Sequence, residues 1–421
     1  MYKKNKDDIV IISLEYDGKQ ENLLNQNFAK SLLENVIRLE EESELKGVIL
    51  LFTKKSFLSK YDIDSLINFD KPDTCYEYIE SQNAVLRRIE KINVPVIAAI
   101  DGSLSGLNIG LALACKYRIS TQKQSIGFEF SEVKNGILPG YGSIARLTRI
   151  IGIEKSLNLL LNGYRFNINE AIDLGFLNEL VMSKDDLIKR STQWIKSNPN
   201  ALQPWDQESF EFPYGNAHSS QNTALVSIFP AKIRKKTRGN LPAPETILSI
   251  VVEGSLVDFE TATRIEFRLY TQLLMQKSTK NIINANWFQL RQIKSGSSRP
   301  SSVPETFTKK IGVLGAGLMG HGIAYVSAKA GLNVVMVDLS KSSVEKGLKK
   351  IDNILQDEVK KQSISDKTAK EILGRVIGTD EYSKLKGCDF IIEAVFEDRK
   401  LKGNVTIEAE KNILNDKVFA S

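Results

Sequence analysis

One run of glycines constrains the fold of this chain more than any other feature. Gly315, Gly317 and Gly320 directly follow an apolar segment and open an apolar, helix-like stretch. A second apolar segment ends in Asp338, 18 residues after Gly320. This order of strand, glycine turn, helix and strand predicts a βαβ unit that binds a dinucleotide. The alternative is a glycine-rich turn in an ordinary βα unit.

Each glycine has its own physical reason in such a turn. Gly315 permits the tight turn, Gly317 lets the backbone approach a pyrophosphate, and Gly320 lets helix and strand pack closely. The helix begins near Leu318 and Met319, and its first N–H groups and positive dipole end suit phosphate groups. We therefore predict that these five residues bind the cofactor.

Asp338 and His321 complete the predicted turn. Asp338 is placed to accept hydrogen bonds from ribose hydroxyls, and its charge would repel a 2′-phosphate, so the expected cofactor is NAD rather than NADP. His321 lies just past the turn and is interpreted as a residue that packs within the helix.

Composition excludes several classes of protein. At 421 residues the chain suggests two to three domains. Its 57 Lys and Arg against 51 Asp and Glu are interspersed, so we expect no nucleic-acid partner. Three cysteines without a C-x-x-C pair and two histidines predict no disulfide framework, no metal site and a reducing, cytoplasmic setting. The most apolar region, 94–115, is interrupted by Asp101 and several glycines, so no transmembrane segment is expected.

The pattern of apolar residues predicts α/β architecture with a helical middle part. Strands are predicted over 9–16, 46–52, 94–100 and 116–121, and helices over 27–45, 77–92 and 153–163. The middle part lacks strand-like runs, and a Ser/Pro-rich linker follows it. The predicted domains are 1–184, a helical connector 185–294, the linker 295–307, and a C-terminal dinucleotide-binding domain 308–421.

The run KKIGVLGAGLMGHGIAYVSAKAGLNVVMVDLS (309–340), followed by DFIIEAVFEDRKLK (389–402), resembles the NAD-binding domain of 3-hydroxyacyl-CoA dehydrogenases. The resemblance implies a Rossmann fold. It also implies that Glu397 and Lys402 line the nicotinamide side of the cofactor, with the backbone of Val395 and Phe396 beside it. Without the resemblance, Glu393, Glu397 and Lys402 would be interpreted as surface charges at a strand-to-helix turn.

In that family the general base is a histidine that lies beyond the point matched by Ser421, where this sequence ends. We therefore expect the Rossmann domain to be incomplete. This 421-residue chain would bind NAD but lack the base that takes the substrate's hydroxyl proton.

Two further stretches, 94–120 and 125–152, resemble the crotonase family of enoyl-CoA hydratases and isomerases. They contain VPVIAAIDG, CKYRIS and SEVKNGILPGYGS, and the likeness covers residues 8 to 182. It implies a ββα spiral fold in which the backbone N–H groups of Tyr61 and Leu107 hold a thioester oxygen. From the residues alone, the segment around Leu107 would be a plain strand, turn and helix.

Hydration by this family needs two carboxylates that bind the same water molecule. Glu132 matches one of them, and the other falls on Gly110, so the second carboxylate is missing. Two interpretations remain open. Glu132 is either the single base of an isomerase-like or residual activity, or an ordinary carboxylate in a domain that only binds.

The order of the two modules resembles the α subunits of multifunctional fatty-acid β-oxidation enzymes. That resemblance implies acyl-CoA thioesters as substrates, NAD-dependent 3-hydroxyacyl-CoA oxidation beside a degenerate hydratase/isomerase domain, and a thiolase β subunit as a partner. The alternative is a non-catalytic remnant that binds CoA esters or NAD or contributes to assembly.

Overall fold

The structure is a computed structural model that describes residues 2–14, 23–24, 26–53, 60–61, 63–163, 165–303, 305–360, 364–414 and 417–421. The chain divides into two compact units, Met1–Ser298 and Arg299–Ser421. Each unit has its own parallel sheet.

The first unit is built on a six-stranded sheet in the order β1-β2-β4-β6-β8-β11. Strand β1 pairs antiparallel to β2, and the other neighbours are parallel. A smaller sheet has the order β10-β9-β7, and β3 pairs with β5. The strands are β1 (Tyr2–Lys4), β2 (Ile9–Ser13), β3 (Leu23–Leu24), β4 (Gly47–Phe52), β5 (Lys60–Tyr61), β6 (Val96–Ile100), β7 (Leu104–Ser105), β8 (Tyr117–Thr121), β9 (Gly127–Glu129), β10 (Arg165–Asn167) and β11 (Glu179–Val181).

Helices surround these sheets and make up the regular structure of the described chain between β11 and the end of the unit. They are α1 (Gln26–Glu40), α2 (Ile63–Ile67), α3 (Pro72–Lys91), α4 (Leu107–Leu113), α5 (Ser143–Ile151), α6 (Ile153–Asn162), α7 (Ile168–Leu174), α8 (Lys184–Ser197), α9 (Ser220–Thr237), α10 (Pro242–Gly254), α11 (Phe259–Met275), α12 (Lys277–Ile283) and α13 (Leu290–Lys294), with short 3-10 turns at Ser131–Asn135 and Pro204–Asp206 and a π turn at Asn284–Gln289. Among the residues described in either unit, no helix is both long and apolar enough to cross a membrane.

The central strands are apolar throughout because helices cover both faces of the sheet. Every residue of β4 and β6 is buried. Side chains alternate between the faces of a strand, so Ile49 and Leu51 pack with Leu187 and Ile195 of α8. Their neighbours along β4 face the main core, which the other helices of the unit fill.

The second unit is a five-stranded, fully parallel sheet in the order β14-β13-β12-β15-β16. Its elements are β12 (Lys310–Leu314), α14 (Leu318–Lys329), β13 (Asn333–Val337), α15 (Lys341–Lys360), α16 (Asp366–Gly374), β14 (Val376–Thr379), a 3-10 turn at Tyr382–Leu385, β15 (Phe390–Glu393), α17 (Arg399–Glu410) and β16 (Val418–Ala420). The chain order of the strands reverses at β12, as in doubly wound dinucleotide-binding sheets.

The predicted fold class is confirmed, with an α/β domain, a helical region and a C-terminal parallel sheet. The four strands predicted in the N-terminal part are β2, β4, β6 and β8. Helix α1 ends at Glu40, earlier than the periodicity predicts. The short strands β9, β10 and β11 carry too few residues for a period-2 pattern to be visible in the sequence.

Candidate functional site

The glycine turn after β12 has the geometry that its sequence predicts. Gly315 has φ of +101°, and a Cβ there would lie 2.6 Å from the carbonyl oxygen of Ala394. A Cβ on Gly320 would lie 1.8 Å from the carbonyl oxygen of Gly315. Gly317 differs, because no heavy atom lies within 4 Å of its Cβ position. Glycine at 315 and 320 is therefore required by the protein's own backbone, whereas at 317 it leaves open space for a ligand.

Helix α14 begins directly at this turn. Leu318 and Met319 form its start, and their side chains are largely exposed, at 82% and 69%. The N–H groups of this first turn are free to bind a ligand, since they have no partner inside the helix. The buried ring of His321 contacts the carbonyl oxygen of Gly317 through Nδ1, which places His321 in support of the turn.

Asp338 follows β13 and connects the glycine turn to the end of that strand. Its Oδ2 accepts a hydrogen bond from the N–H of Ala316 at 2.7 Å, and Oδ1 accepts from the N–H of Leu339 at 2.7 Å. Each carboxylate oxygen has a second lone pair, so a ribose hydroxyl can still bind. The bond from the Ala316 N–H gives Asp338 a second role, in support of the glycine turn, that local sequence does not predict.

A cavity of about 260 Å³ opens at the carboxyl ends of β12, β13 and β15, beside the glycine turn and Asp338. Its walls are mainly apolar, and Phe396 at the turn after β15 is 80% exposed. The apolar and aromatic wall side chains are Leu314, Val337, Leu339, Tyr382, Ala394, Val395, Phe396, Leu401 and Val405. Of these, only Val395 and Phe396 are residues that the sequence predicts at the cofactor site. The positions of the others at the cavity depend on which strand ends lie next to each other, which the sequence does not show.

Lys402 links two acidic residues near this cavity. Its Nζ lies 3.1 Å from Oε2 of Glu393 and 2.9 Å from Oε1 of Glu397. Burial alone would raise the pKa of Glu393, but hydrogen bonds from Ser421, the Val395 N–H and Lys402 outweigh it and hold that pKa below its ordinary value. Glu397 is exposed, whereas Glu393 is buried, so the interpretation of Glu393 as a surface charge is wrong. Glu393, which was not among the predicted site residues, is the anchored member of the cluster.

Glu132 lies in the 3-10 turn Ser131–Asn135 of the first unit and is 4% exposed. Its Oε2 is buried and has no hydrogen-bond partner among the residues that the structure describes. Burial raises the pKa of Glu132 to about 8, and the nearby Glu129 adds to this effect. A carboxyl group in this state can both donate and accept a proton near neutral pH.

Gly110 lies within helix α4, against the first residue of α5. A Cβ at this position would meet Oγ of Ser143 at 2.7 Å, while Leu86 and Tyr141 are at an ordinary 3.7 Å. Ser143 is fully buried, and its hydroxyl has no partner in the described part of the chain. A side chain at position 110 would therefore compete with Ser143 for space.

The predicted oxyanion donors are only partly described. Leu107 is the first residue of α4, after Gly106 with φ of +57°, so its N–H belongs to an unpaired helix end. Tyr61 ends strand β5; its side chain, like that of Leu107, lies outside the described residues. Asn108, next to Leu107, is completely buried with neither side-chain polar atom bonded within the described chain.

Tyr270 stands near Glu132. Burial raises its pKa well above the ordinary value, and the neighbouring Tyr141 and Glu132 add to the effect. Both tyrosines line a cavity of about 20 Å³, room for about one water. Glu132 is not among the residues that line this cavity.

The first turn of α5 is held by a buried carboxylate and a buried ion pair. Oε2 of Glu266 accepts a hydrogen bond from the N–H of Ala145 at 2.9 Å. Burial raises the pKa of Glu266 to about 7, although that N–H and the charge of Arg146 oppose the shift. Arg146 in turn pairs with Glu90 at 2.6 Å, with both side chains fully buried. The backbone of Ser143, at the start of this turn, is therefore held in place.

Comparison with known families gives two matches along the chain. Residues 4–238 match the family described as enoyl-CoA hydratase/isomerase, and this match covers more than half of the chain. Residues 310–421 match the NAD-binding domain of 3-hydroxyacyl-CoA dehydrogenase.

Solved structures similar to the chain include members of both groups. The (S)-3-hydroxybutyryl-CoA dehydrogenase of Ralstonia eutropha is 33% identical over 27% of this chain and 41% of its own length, with a TM-score of 0.27. An enoyl-CoA hydratase from Bacillus halodurans is 22% identical over 68% of this chain and 98% of its own, with a TM-score of 0.47. Human mitochondrial delta3-delta2-enoyl-CoA isomerase is 16% identical over 70% of this chain and 98% of its own length, with a TM-score of 0.48.

Proposed function

Since the chain belongs to the enoyl-CoA hydratase/isomerase family and continues into a 3-hydroxyacyl-CoA dehydrogenase NAD-binding domain, we propose that it acts in fatty-acid β-oxidation. In this proposal the second unit binds NAD as the NAD-binding part of a 3-hydroxyacyl-CoA dehydrogenase, and the first unit is a degenerate hydratase/isomerase domain. The observation that carries the proposal is the open glycine turn beside Asp338, at the edge of a cavity of about 260 Å³.

The residues around this cavity fit NAD. The open space at Gly317 and the free N–H groups at the start of α14 suit the pyrophosphate. Asp338 suits the adenosine ribose hydroxyls, and Glu397 with Lys402 would stand on the nicotinamide side. When bound, NAD supplies the hydride acceptor. The chain's own residues bind and orient it and exclude water with the apolar walls of the cavity.

In the first unit, Glu132 is proposed as the one carboxyl group that moves protons. Its burial and its pKa of about 8 support this role, because a general acid or base works best when its pKa is near the ambient pH. Proton transfer between two carbons, as in isomerisation, needs one carboxyl group, whereas hydration needs two. Because position 110 is a glycine, only the carboxyl group of Glu132 remains, which favours isomerisation. The N–H groups of Leu107 and Tyr61 remain the proposed oxyanion donors.

The second candidate is a first unit that binds CoA esters or contributes to assembly without catalysis. The observation that favours it is that the cavity beside Tyr141 and Tyr270 holds only about 20 Å³ and is not lined by Glu132. A Glu132→Gln variant separates the candidates. Isomerisation of a 3-enoyl-CoA that falls by about 10²-fold or more supports catalysis, and no activity in either form supports the binding role.

Acyl-CoA thioesters as ligands, a thiolase β subunit as partner and a cytoplasmic location belong to the same proposal. The three cysteines support a reducing setting, since Cys75, Cys115 and Cys388 are all free and buried. The domain limits 1–184, 185–294, 295–307 and 308–421 are likewise proposed.

The test of the cofactor assignment is a fluorescence titration of the full chain with NADH and NADPH. We expect the wild type to bind NADH more tightly, and Asp338→Ala to lose about 10- to 100-fold in NADH affinity because a charge-assisted hydrogen bond is removed. Glu371→Ala, at an exposed carboxylate of α16, is the control and should bind as the wild type does. Equal affinity of the wild type for both cofactors would contradict the assignment.

A further inference from the structure

Gly110 is a glycine whose backbone does not require one. It lies inside helix α4, and it is not among the glycines with positive φ. Glycine in a helix interior is less favourable than alanine, since it loses more backbone entropy on folding. The reason for a glycine at this position must therefore be the space around it.

The space that a side chain at position 110 would need is occupied by a single atom, Oγ of Ser143. Of the three heavy atoms nearest to a Cβ at position 110, only Oγ of Ser143, at 2.7 Å, is too close. The other two, on Leu86 and Tyr141, are at ordinary contact distance. The Cβ of Ser143 is therefore at least 3.7 Å from a Cβ at position 110. Removing only the hydroxyl of Ser143 would make room for a side chain there.

The hydroxyl of Ser143 makes no hydrogen bond within the described chain that would explain a serine at this position. Its hydroxyl is fully buried and without a partner among the described groups, which costs free energy of desolvation. The backbone of Ser143 is held in place, because its N–H donates to the carbonyl oxygen of Gly140 at 2.9 Å and Glu266 holds Ala145 two positions later. The hydroxyl can therefore leave this space only by rotation about the Cα–Cβ bond.

We propose that Ser143 determines the reaction specificity of the first unit by excluding any side chain, and hence a second carboxylate, from position 110. The hydroxyl occupies the space that such a side chain needs, so the site is restricted to the single carboxyl group of Glu132. The inference rests on the proposed function in taking Glu132 as the remaining carboxylate.

The steric part is tested by a thermal double-mutant cycle on the full chain, using Gly110→Ala, Ser143→Ala and both together. In the wild-type background Gly110→Ala should lower the Tm of the first unit by about 2–6 °C, as overpacking does. In the Ser143→Ala background it should leave the Tm unchanged or raise it, because alanine is the better helix former.

The matched control is Ser156→Ala, since Ser156 on α6 is also fully buried, with a hydroxyl that has no partner among the described groups. The Tm loss from Gly110→Ala should persist in that background. The same loss in the Ser143→Ala background would overturn the proposal.

The chemical part is tested by hydration of crotonyl-CoA. We expect Gly110→Glu alone to hydrate as slowly as the wild type, and Gly110→Glu with Ser143→Ala to be at least ~100-fold faster, the smaller end of general acid–base contributions. An equal gain in the single variant would overturn the proposal. Thermal coupling without hydration in the double variant would support the steric role of Ser143 and contradict the role proposed for Glu132, so the two failures are distinguishable.

Discussion

At the scale of single residues, Glu132 and Glu393 show that hydrogen-bond partners decide whether a buried carboxyl group has a raised or a lowered pKa. Glu393 accepts hydrogen bonds from Ser421 at 2.8 Å and from the Val395 N–H at 2.7 Å, and its pKa lies below the ordinary value. Within the described chain the Oε2 of Glu132 has no partner, and burial raises the pKa of this residue to about 8. The first therefore stays ionised at neutral pH, whereas the second holds a proton that it can exchange.

The raised pKa of Glu132 predicts a pH-dependent stability. Between its ordinary pKa of 4.5 and about 8, the folded chain binds a proton that the unfolded chain has released. This contribution to stability is fully present below pH 4.5 and is lost as pH rises through about 8. We expect the free energy of unfolding of the wild type, measured with urea at about pH 5, 7 and 9, to fall relative to that of Glu132→Gln.

The control for this measurement is Glu154→Gln, at an exposed carboxylate of α6. Its free energy of unfolding should follow that of the wild type across the same pH range. If the difference between the wild type and Glu132→Gln does not vary with pH, the prediction is wrong.

At the scale of elements, the start of helix α14 packs closely against the glycine turn that precedes it. It follows the glycine turn directly and carries two glycines, Gly320 and Gly322. A Cβ on Gly320 would collide with the carbonyl oxygen of Gly315, whereas a Cβ on Gly322 would meet no atom within 4 Å. The two positions are thus a natural matched pair.

We predict that Gly320→Ala destabilises the second unit by about 1–3 kcal/mol or more, since the backbone of the turn must shift. Gly322→Ala should stabilise it by up to about 1 kcal/mol, because alanine is the better helix former. Thermal unfolding and NADH titration of both variants provide the measurement. Similar losses in the two variants would show that the close packing at Gly315 is not what requires the glycine.

At the scale of the whole molecule, the described residues around the boundary between the two units are largely exposed. Nearly every described residue from 290 to 309 is exposed, and Phe307 is 76% exposed. This region includes the predicted linker 295–307, and it precedes β12.

Limited chymotrypsin digestion should therefore cut first after Phe307, giving fragments 1–307 and 308–421, because exposed segments without secondary structure are cut most readily. Phe307→Ser should slow this first cut. Phe396→Ser is the control, as Phe396 is similarly exposed but lies in the hydrogen-bonded turn before α17. Mass spectrometry identifies the fragments, and a first cut within 185–294 would argue against the proposed domain limits.

Features that depend on neighbouring residues can be predicted from the amino-acid sequence alone. The spacing of Gly315, Gly317 and Gly320 predicts the strand, turn and helix, since backbone conformation is a local property. Long apolar runs likewise predict the central strands β4 and β6. Motifs along both halves were sufficient to identify the two families.

Contacts between residues far apart in the chain depend instead on how the elements pack. The contact between Gly110 and Ser143 exists because α4 packs against α5, and the bond from the Ala316 N–H to Asp338 exists because β12 and β13 are neighbours. The raised pKa of Glu132 arises from burial, which is a sum over many elements and has no signature in the residues beside it. Local sequence therefore specifies the elements, and packing specifies the chemistry of the side chains that they carry.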